Sequence, residues 1–74
     1  MGVMRILDSS GDTEVLWDVN DDEALARTAD RFDMLAAQGK LAFERSGSET
    51  TTSRIDAFNP HADEIIWVRP LQGG

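Results

Sequence analysis

The sequence has no cysteine. That absence removes disulfide stapling, a zinc finger and a thiol nucleophile from consideration, and it is compatible with a reducing compartment. Positive charge is scarce: 7 Lys and Arg stand against 14 Asp and Glu, for a net charge of −7. A basic footprint for nucleic acid is therefore missing, and an anionic membrane would repel this surface. Long hydrophobic runs are missing too. The start, Met1-Gly2-Val3-Met4-Arg5-Ile6, is too short in apolar residues for a signal peptide or a membrane helix. Ile6 stands where a myristoylation signal needs Ser or Thr. Met4 is available as an alternative start, which would make Met1 to Val3 an unimportant extension. A cytoplasmic location is expected.

What remains is a chain of 74 residues, enough for one domain and not for two. A domain of this size hides only about 60% of the surface its unfolded chain exposes, so the core is thin and a deep substrate cavity is not expected. Hydrophobic residues make up 41%, as in folded proteins and unlike disordered ones. The acidic surface would steer a partner with a basic face toward it. The same charge is also enough simply to keep a small domain soluble.

Val3 to Leu7 is mostly apolar and strand-like, and Ser9-Ser10-Gly11-Asp12 is a turn cluster. Thr13 to Val19 alternates, with Val15, Trp17 and Val19 on one face and Glu14, Leu16 and Asp18 on the other. A helix follows. Asn20 is placed as its N-cap, with Glu23 three residues later as in a capping box. Asp21, Asp22 and Glu23 put negative charge at the positive end of the helix dipole. Leu25, Ala29, Phe32, Leu35 and Ala36 form one apolar stripe, and Gly39 is the expected stop. Phe32 and Met34 are expected to be structural.

Lys40 to Arg45 is a third strand candidate with Leu41 and Phe43 on one face. Ser46 to Ser53 is polar and reads as a mobile loop. Arg54 to Phe58 is a candidate short strand, and Asn59-Pro60-His61-Ala62-Asp63 a turn or single helical turn. Glu64 to Val68 is β-branched and aromatic, continuous enough for the middle of a sheet. This order predicts an α+β fold with one helix packed across a mixed four- or five-stranded sheet. The last strand can pair with the first in parallel across the long connection. That is the β-grasp arrangement, expected over residues 1–68, with 69–74 as a flexible tail.

The tail reads Arg69-Pro70-Leu71-Gln72-Gly73-Gly74. Two final glycines arise by chance in roughly one chain in 200, and here they follow a strong strand in a domain of suitable size and element order. Leu71-Gln72-Gly73-Gly74 resembles the Leu-Arg-Gly-Gly end of ubiquitin, with Gln in place of Arg. Pro70-Leu71-Gln72-Gly73-Gly74 resembles the Pro-x-x-Gly-Gly end of molybdopterin sulfur carriers. The chain thus looks like a ubiquitin-like β-grasp protein, of the bacterial or phage modifier kind or of the thiamine and molybdopterin sulfur-carrier kind.

The resemblance implies a chemistry performed on the chain rather than by it. An E1-like, ATP-dependent activating enzyme would adenylate the Gly74 carboxylate, and the acyl group would pass to a thiol, an amine or sulfide. Gly73 and Gly74 lack a Cβ and so permit close backbone approach in a narrow channel. Pro70 would lower the ordering cost of the tail, Leu71 would anchor it in an apolar pocket, and Arg69 and Gln72 would complete the recognised segment. Lys40, the single lysine, is the only internal site for an isopeptide bond. The implied partners are the activating enzyme and a downstream acceptor protein or sulfur acceptor. No cofactor, metal or nucleic acid is implied, and a monomer is expected.

Other residues have simpler readings. His61, Asp63 and Glu64 read as a solvated turn rather than a metal site or a catalytic carboxylate pair. Asp21-Asp22-Glu23 lacks the calcium-loop spacing, and Ser9-Ser10-Gly11 lacks a phosphate-loop pattern. Trp17 and Trp67 are expected in the core, and Thr50 to Thr52 in a flexible loop. No catalytic constellation is visible, so an enzyme is not expected. Two other functions stay open. One is a non-conjugated acidic interaction protein, such as a DNA mimic or an inhibitor of a basic partner, using Asp8, Asp12, Asp18, Asp21 and Asp22. The other is a small assembly protein joined through the edge near Arg54 to Phe58.

Overall fold

A computed structural model describes residues 1–8, 11–47 and 51–69. Five strands and one helix run in the order β1 (Gly2–Asp8), β2 (Gly11–Trp17), α1 (Asp22–Ala37), β3 (Leu41–Arg45), β4 (Ser53–Ile55) and β5 (Glu64–Val68). The strands form one mixed sheet in the spatial order β2-β1-β5-β3-β4. β5 lies at its centre, parallel to β1 and antiparallel to β3. This is an α+β fold with the helix packed across one face of the sheet.

The register explains which residues are buried. Met4 lies beside Val15 and Ile65, and Ile6 beside Trp67, which in turn faces Ala42. These residues share the face covered by the helix, where Met4, Ile6, Trp17, Ala42, Ile65 and Trp67 are buried. Phe32 of α1 packs edge-on against Trp67 at a centroid distance of 4.7 Å. Phe58 closes the end of the core, 5.2 Å from Trp17 and 6.1 Å from Phe32. Both tryptophans are thus core residues, as expected.

Gly2 corrects the reading of Met1 to Val3 as an unimportant extension. Gly2 and Val3 belong to β1, and the Val3 amide donates to the Asp63 carbonyl at 3.1 Å. Gly2 pairs with Trp17, whose indole occupies the space that a Cβ at position 2 would need.

The helix starts one residue later than the capping pattern predicts. Asp21, with an extended backbone, is the N-cap, and its Oδ1 accepts from the amides of Glu23 and Ala24, both at 3.1 Å. Asn20 instead sits in the preceding turn, where its amide donates to Asp18 Oδ1 at 2.9 Å. Asp caps as well as Asn does, so the turn decides between the two neighbours. At the other end, the Gly39 amide donates to Ala36 and the Lys40 amide to Leu35, with Gly39 at φ 86°. This is a Schellman stop, and it requires the left-handed conformation glycine accepts.

The buried stripe is rotated from the expected one. Ala24, Thr28, Phe32 and Leu35 are buried, Leu25 packs at the margin, and Ala36 is exposed. Thr28 is admitted because its hydroxyl donates to the Ala24 carbonyl at 2.8 Å, leaving only its methyl to pack. Met34, expected to be structural, is 55% exposed.

Two strand expectations also change, and a third gains a side. β2 ends at Trp17 rather than Val19, which is exposed in the turn before α1. β4 covers residues 53–55 rather than 54–58, because the chain bends after Ile55 and turns Phe58 inward. Leu41 and Phe43 do share a face, but it is the open face, opposite the helix; Ala42 faces the core. Across from the Trp67 indole a small side chain fits and a phenylalanine does not.

Candidate functional site

The last described residue is Arg69, exposed, one position beyond the central strand β5. The expected conjugation residues Gly73 and Gly74, and the recognition residues Pro70, Leu71 and Gln72, lie outside the described residues. Only Arg69 of that set has a place in the structure. In the sequence the segment follows β5, the central strand, which is hydrogen-bonded on both sides.

Around this exit lies the open face of the sheet. Val3, Leu41, Phe43, Ile66 and Val68 are half-buried there, while Leu7 and Leu16 are exposed. The sequence reading did not assign this patch. The apolar run Ile65 to Val68 marked only its β5 members, Ile66 and Val68, which it leaves on the side away from the core.

Charge on this face is organised by Glu64. Its Oε2 accepts from Arg5 Nε at 2.7 Å and its Oε1 from Arg45 Nε at 3.0 Å. Arg5 also pairs with Glu14 on β2 at 3.0 Å. The Glu64 side chain is only 15% exposed. The Arg5 hydrogen bond, and then that of Arg45, hold its carboxyl below the ordinary glutamate range against the opposing effect of burial. Arg5 is raised in turn, chiefly by its hydrogen bond to Glu64. One carboxylate thereby ties β1, β5 and β3 together. Glu64 and the exposed Asp63 therefore serve structure: an Asp63 carboxylate oxygen accepts from the Gly47 amide.

His61 has its amide bonded to Asn59 Oδ1 at 3.0 Å, which fixes the turn before β5. Trp17 Nε1 donates to the Pro60 carbonyl at 3.0 Å and clamps the same turn to β2. Lys40, the expected internal acceptor, is half-buried just past the helix and borders a cavity of about 150 Å³. Its backbone carries the Schellman stop.

No family model, no curated protein and no solved structure matches the chain. Among the described residues no helix is long and apolar enough to cross a membrane.

Proposed function

We propose that this chain is a β-grasp protein of the ubiquitin-like kind, a protein modifier or sulfur carrier activated at Gly74 by an ATP-dependent enzyme. The observation that carries the reading is the path of the chain. Its final strand is the centre of the sheet, parallel to the first, and the sequence continues directly into Arg69-Pro70-Leu71-Gln72-Gly73-Gly74. A rigid strand followed by a short segment that ends in two residues without a side chain suits delivery of a carboxylate into another protein's nucleotide site.

The open sheet face supports the same reading. Phe43, Ile66 and Val68 offer apolar area beside the exit of the tail, with Arg5 and Arg45 held in fixed positions by Glu64. An activating enzyme gripping this face would have the tail within reach. The protein itself acts as the substrate, in the cytoplasm, and supplies no catalytic group.

The test uses the full chain, ATP and an adenylating enzyme of the activating class from the same genome. Mass spectrometry is expected to find the acyl-adenylate, followed by a thiocarboxylate or an isopeptide adduct. Removal of Gly73 and Gly74 abolishes every product while leaving the circular dichroism spectrum unchanged. Products that persist after the deletion would refute the proposal.

The acidic-binder reading keeps one observation in its favour. Asp18, Asp21, Asp22 and Glu23 are all exposed and cluster about the start of α1. Binding through them would weaken steeply with salt and survive loss of the tail.

A further inference from the structure

The strand register sets the side chains of the open face in rows. Glu14, Arg5, Ile66, Phe43 and Arg54 form one row across all five strands. Glu64 and Arg45 are cross-strand partners in the next. The strand residues of this face carry three arginines, Arg5, Arg45 and Arg54, and three acids, Asp12, Glu14 and Glu64. The face therefore has no net charge, although the chain carries −7. A second copy can approach it without the repulsion that the remaining acids impose.

The charges on this face are also ordered. Glu14 pairs with Arg5 at 3.0 Å, Arg5 with Glu64 at 2.7 Å, and Glu64 with Arg45 at 3.0 Å. This chain of pairs crosses the sheet and ends negative on β2 and positive on β3. Asp12 extends the negative end on the edge strand β2, and Arg54 the positive end on the opposite edge strand β4. Both are exposed, and neither forms an ion pair among the described residues. Between the two edges lie Ile66 and Val68 of the central strand and Phe43 beside them, all half-buried.

We infer that this face is covered by a second copy of the chain, in a two-fold dimer of sheet stacked on sheet. Aligned stacking of two sheets is a standard way to bury apolar faces, and a two-fold contact must be self-complementary. The axis can run along the strands or across them. An axis across the strands lays β2 over β2 and sets acid against acid. An axis along the strands lays the β2 edge of each copy over the β3–β4 edge of the other. Asp12 and Glu14 then face Arg54 and Arg45 of the second copy at both ends, and Ile66 and Val68 meet their own counterparts at the centre. The charge order selects the second arrangement. The expected monomer is the form at low concentration. The dimer goes beyond the chemistry proposed for Gly74 and does not need it, so removal of Gly73 and Gly74 leaves association unchanged.

Sedimentation equilibrium of the purified full chain tests this at about 0.15 M salt, where the Debye length of about 8 Å screens the remaining acids. The mass is expected to rise with concentration from one chain to two and to stop there. The exposed-site variants Asp12→Arg and Arg54→Asp, each checked for an unchanged circular dichroism spectrum, are each expected to weaken the dimer by about tenfold or more through like-charge contact. Mixing the two variants restores opposite charges at both ends, so the mixture should associate as the parent protein does. A chain that stays single at every concentration would overturn the inference and leave the face to a different protein. So would growth past two chains, which would indicate edge-to-edge pairing. A mixture that associates no better than either variant alone would also overturn it, as would tighter association of Asp12→Arg, which would show that overall charge rather than the ordered face governs contact.

Discussion

At position 2 a side chain has nowhere to go, because the Trp17 indole already fills that space. Replacing Gly2 with Val should therefore push the indole out of its seat and strain its bond to Pro60. Overpacking of this kind costs about 1–3 kcal/mol, and urea denaturation followed by tryptophan fluorescence measures it. Composition gave no hint of this role. Gly2 looks dispensable until the β1–β2 register sets Trp17 across from it. Glu64 makes a second prediction at this scale. Its carboxyl is held low in the folded protein, so unfolding raises its proton affinity. Its contribution is complete above the ordinary glutamate pKa and fades as pH falls through the folded value. Glu64→Gln should lower the urea midpoint at neutral pH, and the gap from the parent protein should narrow on acidification below about pH 4. A gap that stayed constant down to pH 3 would show that the two arginines do not set the carboxyl's affinity.

Among the elements, the helix was readable early because its caps and its apolar spacing agree. The error at its start has a local cause. Asn20 and Asp21 are both good caps, and the competing bond from the Asn20 amide to Asp18 settles the choice. Asp21→Ala should cost about 1 kcal/mol, as cap losses do, while Asn20→Ala should cost less; paired thermal melts distinguish them. β3 was harder to read. Leu41 and Phe43 alternate as a buried face would, and nothing local says that Ala42 is the inward residue. The reason lies in Trp67 on the neighbouring strand, whose bulk selects a small partner. Cross-strand neighbours of this kind are not encoded in the period of one strand. The central place of β5 was legible, because a run of Glu64 to Val68 with apolar residues at consecutive positions cannot present a polar side. Of the candidate site, the terminal motif was legible. The apolar open face was not, because its members come from separate strands.

For the molecule as a whole, charge and hydrophobicity are unevenly placed. The start of α1 is acidic and exposed, while the opposite face of the sheet joins Phe43, Ile66 and Val68 to arginines held by Glu64. A chain of net charge −7 thus keeps one side close to neutral. Self-repulsion between the remaining acids should favour separate molecules at low salt. Among the described residues there are two layers, one sheet and one helix: the helix covers one face only, so the other must be tolerated in water or used.

The order of the strands bears on how the molecule folds. The strand that joins the two hairpins follows both of them in the sequence. A fragment ending at residue 60 has β1–β2 and β3–β4 with nothing between them, and it should be cut readily by protease. With residues 64–68 present, both halves can close around them in a single cooperative event. Limited proteolysis of the purified polypeptides ending at residues 60 and 74 would reveal protection only in the longer one, and equal protection of both would disprove the coupling.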